Sequence, residues 1–179
     1  MIQKGLDVQR PRRNILVSGG TATSKTTFLN ALIREIPAGK RLITIEDTPE
    51  LQVRHANAVG LLAVRGALGE AQASADDLVS ASLRMRPDRI ILGELRGPEA
   101  YAFLRAINTG HPGSMTTIHA DSAAGAVEQL VLILQGGTRL SRQDVRDYVR
   151  GTIGLFVQLG RVGGRRTVSE VVRGAALAG

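Results

Sequence analysis

The short run Asn14 to Ser18 (NILVS) leads straight into Gly19, Gly20, Thr21, Ala22, Thr23, Ser24, Lys25, Thr26 and Thr27. Beyond it Phe28, Leu29, Leu32, Ile33 and Ile36 recur at spacings of three and four until Pro37 and Gly39 stop the pattern. A β-branched apolar run closed by two glycines predicts a strand buried on both faces, and the periodicity predicts a helix from Lys25 to about Glu35. A glycine-rich turn between strand and helix aims backbone N–H groups and the positive end of the helix dipole at one spot, where a polyphosphate binds. The pattern G-x-x-x-x-G-K-[ST] fits at Gly19, Lys25 and Thr26, with Lys25 reaching the β/γ phosphates and the Thr26 hydroxyl ligating Mg²⁺. It departs at one place, because Ser24 stands where a glycine is expected. A non-glycine residue in left-handed geometry costs about 1–2 kcal/mol, which predicts nucleotide binding weakened on the order of tenfold. The alternative reading is an ordinary strand-to-helix turn.

The rest of the chain continues the alternation. Strands are predicted at Arg41 to Glu46, Arg89 to Leu92 and Ser114 to Ile118. Helices are predicted at Ala75 to Arg86, closed by Pro87, at Pro98 to Thr109, ended by Gly110, at Ala123 to Leu134, and from Ser141 to Arg150 behind an N-cap serine. Between Glu50 and Ala73 only Val59 to Val64 is apolar enough for a strand, and Arg65 to Ala73 reads as a mobile loop. Ile153 to Leu159 and Arg166 to Val172 alternate about the turn Gly160 to Gly164 and read as a hairpin. Such alternation of strands and helices implies an α/β domain on a mainly parallel sheet. Met1 to Arg13, ending in a basic cluster, reads as a lead-in.

In a parallel sheet, groups that follow strands collect at the crevice outside the strand C-terminal ends. Glu46 and Asp47 end the second strand, Glu94 and Arg96 follow Arg89 to Leu92, and His119 follows the strand MTTI. Phosphoryl transfer to water uses this set: one acid for the metal, another for the attacking water, and basic groups for transition-state charge. Singly, each is as readily a cap or a solvated loop residue. Arg84 and Arg86 flank the same strand and are candidates for donation to a neighbouring site. The three histidines lack zinc-ligand spacing, and Asp121 and Ser122 beside His119 are adjacency without triad geometry. In 179 residues there is no cysteine, which excludes thiolate chemistry, and 3% aromatics disfavours base stacking on single strands. A net charge of +7 invites phosphate partners without choosing among nucleotide, nucleic acid and membrane. No apolar run approaches a bilayer span, and no signal peptide leads the chain, so a soluble protein is expected.

Four segments in order carry a resemblance: GGTATSKTT (19–27, Walker A), LITIEDTPEL (42–51, aspartate box), LRMRPDRIILGELRGPEA (83–100, Walker B) and INTGHPGSMTTIHADS (107–122, histidine box). With them the chain resembles, from about Asn14 to Val172, the VirB-type ATPases of bacterial type IV secretion and conjugation, members of the traffic ATPase family that includes type II secretion and pilus motors. The resemblance implies a RecA-like P-loop NTPase domain over residues 14–179, a three-layer sandwich with a C-terminal β-hairpin. It implies ATP as substrate with Mg²⁺ and a homo-oligomeric, hexameric ring on the cytoplasmic face of the inner membrane. Inner-membrane and coupling subunits would be its partners, with secreted protein or DNA–protein substrates handled indirectly and no sequence-specific nucleic-acid binding. Residues 19–27 would hold nucleotide, Thr26 and Glu94 the metal, Glu46 would activate water, His119 would sense the nucleotide, and Arg96 matches a family arginine. The family also carries an N-terminal domain where this sequence has only its lead-in. Two other functions compete: a catalytically impaired nucleotide-binding ring subunit serving as a docking component, and a DNA-binding RecA-like protein suggested by charge alone.

Overall fold

The computed structural model describes residues 13–64 and 73–177. Among them the elements run β1 (Ile15–Gly19), α1 (Lys25–Arg34), β2 (Leu42–Glu46), β3 (Ala58–Leu62), α2 (Ala75–Ser82), β4 (Arg89–Leu92), α3 (Glu99–Asn108), β5 (Met115–Ile118), α4 (Ala123–Gln135), α5 (Arg142–Thr152), β6 (Leu155–Val162) and β7 (Arg165–Arg173). They build one seven-stranded sheet in the order β3-β2-β4-β5-β1-β6-β7. Every pairing is parallel except β6 with β7. β1 therefore lies inside the sheet, with Ile15 opposite Met115 on one side and Leu155 on the other. All five of its residues are buried, as a strand covered on both faces requires.

The sheet separates two apolar layers. On one side α1 supplies Leu29, Leu32 and Ile33 against Ile15, Val17, Leu42, Ile91 and Val157. On the other, α2 through α5 pack Val79, Phe103, Leu104, Leu130, Val131 and Val149 against Leu16, Ile43, Ile90 and Phe156. This is the expected three-layer α/β sandwich. Because the first six strands are parallel, the ends of β1, β2, β4 and β5 open along one edge of the sheet.

Three boundaries differ from expectation for definite reasons. The helix predicted to reach Arg86 ends at Ser82 and continues as a 3-10 turn at Leu83–Met85. Pro87 denies Arg86 the right-handed helical region, and Arg86 turns the chain at φ 53°. The strand expected at Val59 to Val64 lies at Ala58–Leu62, and the loop expected over Arg65 to Ala73 falls, but for Ala73, outside the described residues, as does the lead-in up to residue 12. The hairpin is longer than its alternation suggested. Its strands run on to Val162 and Arg165, leaving only Gly163 and Gly164, at φ 55° and 80°, as the two-residue turn. Among the described residues no helix is long and apolar enough to cross a membrane.

Candidate functional site

The turn after β1 is held by its own hydrogen bonds. The Thr23 hydroxyl donates to the Gly20 carbonyl at 2.8 Å, and Lys25 Nζ donates to the carbonyls of Gly19 at 3.0 Å and Gly20 at 3.3 Å. Gly19 is demanded by space, since a Cβ there would collide with the Thr23 hydroxyl and press on the Leu159 carbonyl. Ser24 caps α1 at φ 68°, the left-handed geometry expected where a glycine is missing, and Ala22 is left-handed as well at φ 58°. Arg166, far along the chain on β7, donates from Nε to the Ala22 carbonyl at 3.3 Å.

Opposite this turn stand the acids. Glu46, buried at the end of β2, accepts the backbone N–H groups of Glu50 at 2.9 Å and Leu51 at 2.8 Å on Oε1, which folds the following loop back over the strand. That loop is pinned to α1 twice. Asn30 donates to the Glu50 carbonyl and accepts from Gln52 N, and the Thr26 hydroxyl donates to Glu50 Oε2 at 2.9 Å. Glu94, beyond β4, receives Arg96 on Oε2, with Arg96 Nε at 2.6 Å and a second guanidinium nitrogen in contact. Its Oε1 is buried without a hydrogen-bond partner among the described residues, His119 Nε2 lying 3.4 Å away. Burial holds the Lys25 ammonium below its ordinary pKa, the facing Glu94 charge opposes this, and Arg96 adds to it. Glu99, at the head of α3, accepts the N–H groups of Arg96 and Gly97 and so shapes the turn that carries Arg96.

These groups line one open cleft of about 730 Å³. Its walls carry Thr21 through Thr27, Glu46, Asp47, Glu50, Glu94, Arg96 and His119. Gly19 and Gly20 lie at its floor through their bonds to Lys25 and Thr23. Arg84 and Arg86 are not part of it. They are exposed before β4 and so stand at the opposite end of that strand from Glu94. His111, bonded to the Pro87 carbonyl, is at that far end too, and His55 bonds the Ile36 carbonyl. Glu50, Asn30 and Arg166 were missed by sequence reasoning. Only Glu50, inside the segment LITIEDTPEL, carried a local signal that would have drawn attention to it.

The family model described as "Type II/IV secretion system protein" matches residues 4–138. The chain belongs to this family. It is 45% identical over 163 residues to the type IV secretion system protein VirB11 of Bartonella quintana, covering 89% of this chain and 46% of that protein. In structure it is similar to the VirB11 ATPase of the Brucella suis type IV secretion system, solved with sulphate, with a TM-score of 0.86 and 37% identity over 95% of this chain and 51% of that one. The pilus retraction motor PilT, solved with bound ADP, shares the fold at a TM-score of 0.72 and 28% identity, over 90% of this chain and 47% of that one. The chain spans about half the length of the relatives it matches. Family and fold thus agree with the RecA-like, VirB11-type reading of the four segments.

Proposed function

We propose that this chain is the nucleotide-hydrolysing unit of a VirB11-type ATPase that powers type IV secretion or conjugative transfer. The observation that carries it is the juxtaposition, in one cleft, of the Lys25 turn at the head of α1 with the carboxylates of Glu46 and Glu94. In this reading the N–H groups of residues 19–27 and the Lys25 ammonium bind and orient the phosphates. Lys25 leaves the carbonyls of Gly19 and Gly20 to do so. The oxygen donors Thr26 and Glu94 suit a hard cation such as Mg²⁺, and the partnerless Oε1 of Glu94 is a ready acceptor for one of its waters. The metal would supply neutralisation of phosphate charge. Glu46 keeps Oε2 available to orient the attacking water while the amides of Glu50 and Leu51 fix its carboxylate plane. Arg96 and His119, on the Glu94 side, sense the γ-phosphate through that carboxylate.

The relatives are described as a type IV secretion system protein, its ATPase and a pilus retraction motor, and in this reading the chain works, as the resemblance of its four segments implies, in a hexameric ring at the inner membrane with membrane subunits as partners and transported protein or DNA–protein as indirect substrate. ATP turnover measured at known oligomeric state, beside Lys25→Ala and Glu46→Gln, tests the reading. Lys25→Ala should lose nucleotide binding, and Glu46→Gln should bind and fail to turn over, with losses on the order of 100-fold or more. Equal turnover in all three proteins sinks it. A second reading, a ring subunit that binds nucleotide without hydrolysing it, is favoured by left-handed Ser24. It prevails when wild type and Ser24→Gly both bind Mg-ATP and neither hydrolyses it.

A further inference from the structure

Gln158 is buried in the middle of β6 among Phe156, Val157 and Leu159, where an amide side chain is costly unless every polar atom is satisfied. It is satisfied, and by particular neighbours. Nε2 donates to the Ala120 carbonyl at 3.1 Å and to the Leu159 carbonyl at 3.2 Å, while Oε1 accepts the Ser18 hydroxyl at 2.5 Å. Two carbonyl partners fix which end of the amide is nitrogen, and the Ser18 hydroxyl is then the donor to the other. Ser18 immediately precedes Gly19, and Ala120 immediately follows His119. The sheet order β5-β1-β6 means that Gln158 reaches across β1 to grasp the chain leaving β5. Its cross-strand partner Glu170 extends to the same segment, accepting Ala123 N at 3.4 Å beside the Ser122 cap of α4. Two side chains of one hairpin rung thus hold the exit of the His119 turn, and one of them also holds the entry to the Lys25 turn.

We propose that Gln158 is a positioning residue that couples the phosphate turn to His119. This rests on the nucleotide reading above. A change in the Lys25 turn is transmitted through Ser18 and the Gln158 amide to Ala120, setting His119 against Glu94. Gln158→Leu keeps the volume and removes the three hydrogen bonds. Misplacing a group at the reacting centre by about 1 Å costs up to about 100-fold in turnover.

The experiment uses the full chain in two arms. In hydrogen exchange, addition of Mg-ATPγS to wild type should protect both residues 19–27 and residues 117–123. In Gln158→Leu it should protect only 19–27, with nucleotide affinity within about twofold of wild type. In turnover, Gln158→Leu should lower kcat about tenfold or more without raising KM, and should lower it no further in a His119→Ala background. Protection of both segments in the variant, or the same fold-loss with and without His119, overturns the coupling. If wild type shows protection but no turnover, hydrolysis fails while the exchange arm still decides the coupling. If wild type shows no protection anywhere, the nucleotide reading fails and takes the coupling with it. Gln158→Asn, too short to span β1, should behave like Gln158→Leu and serves as the variant that keeps the amide.

Discussion

Ser24 and Ala22 stand in left-handed geometry within a turn closed by its own bonds from Thr23, Lys25 and Arg166. Strain already present in the folded turn counts against folding stability, and only strain created on binding counts against affinity. The sequence-based expectation of tenfold weaker nucleotide binding is therefore set against a second outcome, in which the cost of the left-handed Ser24 falls on stability. Ser24→Gly should raise the unfolding free energy by up to about 1.5 kcal/mol, the left-handed cost of about 1–2 kcal/mol less the roughly 0.5–1 kcal/mol entropy cost of a glycine. Nucleotide Kd should change by clearly less than tenfold. Urea unfolding and a titration on the same preparation check this, and a tenfold gain in affinity with unchanged stability would show that binding imposes the strain. The candidate residues that sequence reasoning found all sit at a strand end, in the turn that adjoins a strand or in the first turn of the helix after it. Glu50, Asn30, Arg166 and Gln158 act through partners 20 to 144 positions away, and no local pattern encodes such partners.

At the scale of elements, apolar runs, periodicity and turn signals located each α-helix and strand among the described residues, because each strand of the parallel core is an apolar run bounded by turn residues, whereas the 3-10 turn Gly174–Ala176 carried no such signal. The place of β6 was not legible. Read as half of a terminal hairpin, it is also the parallel neighbour of β1, and its buried run Leu155 to Leu159 serves both. Pairing across about 140 positions is set by which faces remain to be covered, which a window of a dozen residues does not contain. The connection from α4 to α5 offers a separate test. Glu128 on α4 accepts Arg146 Nε and Arg142 Nη2 from the α5 segment, each at 2.7 Å, and these bonds pull its pKa down from 4.5 to about 2. A carboxyl held lower in the folded state contributes stability that is fully present above about pH 4.5 and is lost as pH falls toward 2. The group is exposed, so solvent screening limits the contribution to roughly 0.2–1 kcal/mol. Glu128→Gln should be less stable than wild type by that amount at pH 7 and low salt. The gap should close in about 0.5 M salt or as pH approaches 2, and a gap independent of pH would mean that the ion pairs are not its source.

On the scale of the molecule, the two faces of the sheet are covered unequally. Among the described residues four α-helices share one face, and α1, the helix that begins at Lys25 and Thr26, supplies the helical cover of the other. Packing and site are therefore joined on one face and separate on the other. Leu29 on α1 and Leu130 on α4 are each fully buried, and truncation of either to alanine should cost about 2–5 kcal/mol of stability. Their functional consequences should differ. A cavity beneath α1 loosens the helix that carries Lys25, Thr26 and the Asn30 clamp on the Glu46 loop, so Leu29→Ala should weaken Mg-nucleotide binding several-fold even where the protein remains folded. Leu130→Ala, with a comparable loss in urea midpoint, should leave Kd within about twofold. The comparison is made by titrating both variants with a fluorescent ATP analogue below their unfolding transitions. Equal weakening in the two would mean that affinity follows global stability, and the site would then owe nothing particular to the single-helix face on which it is built.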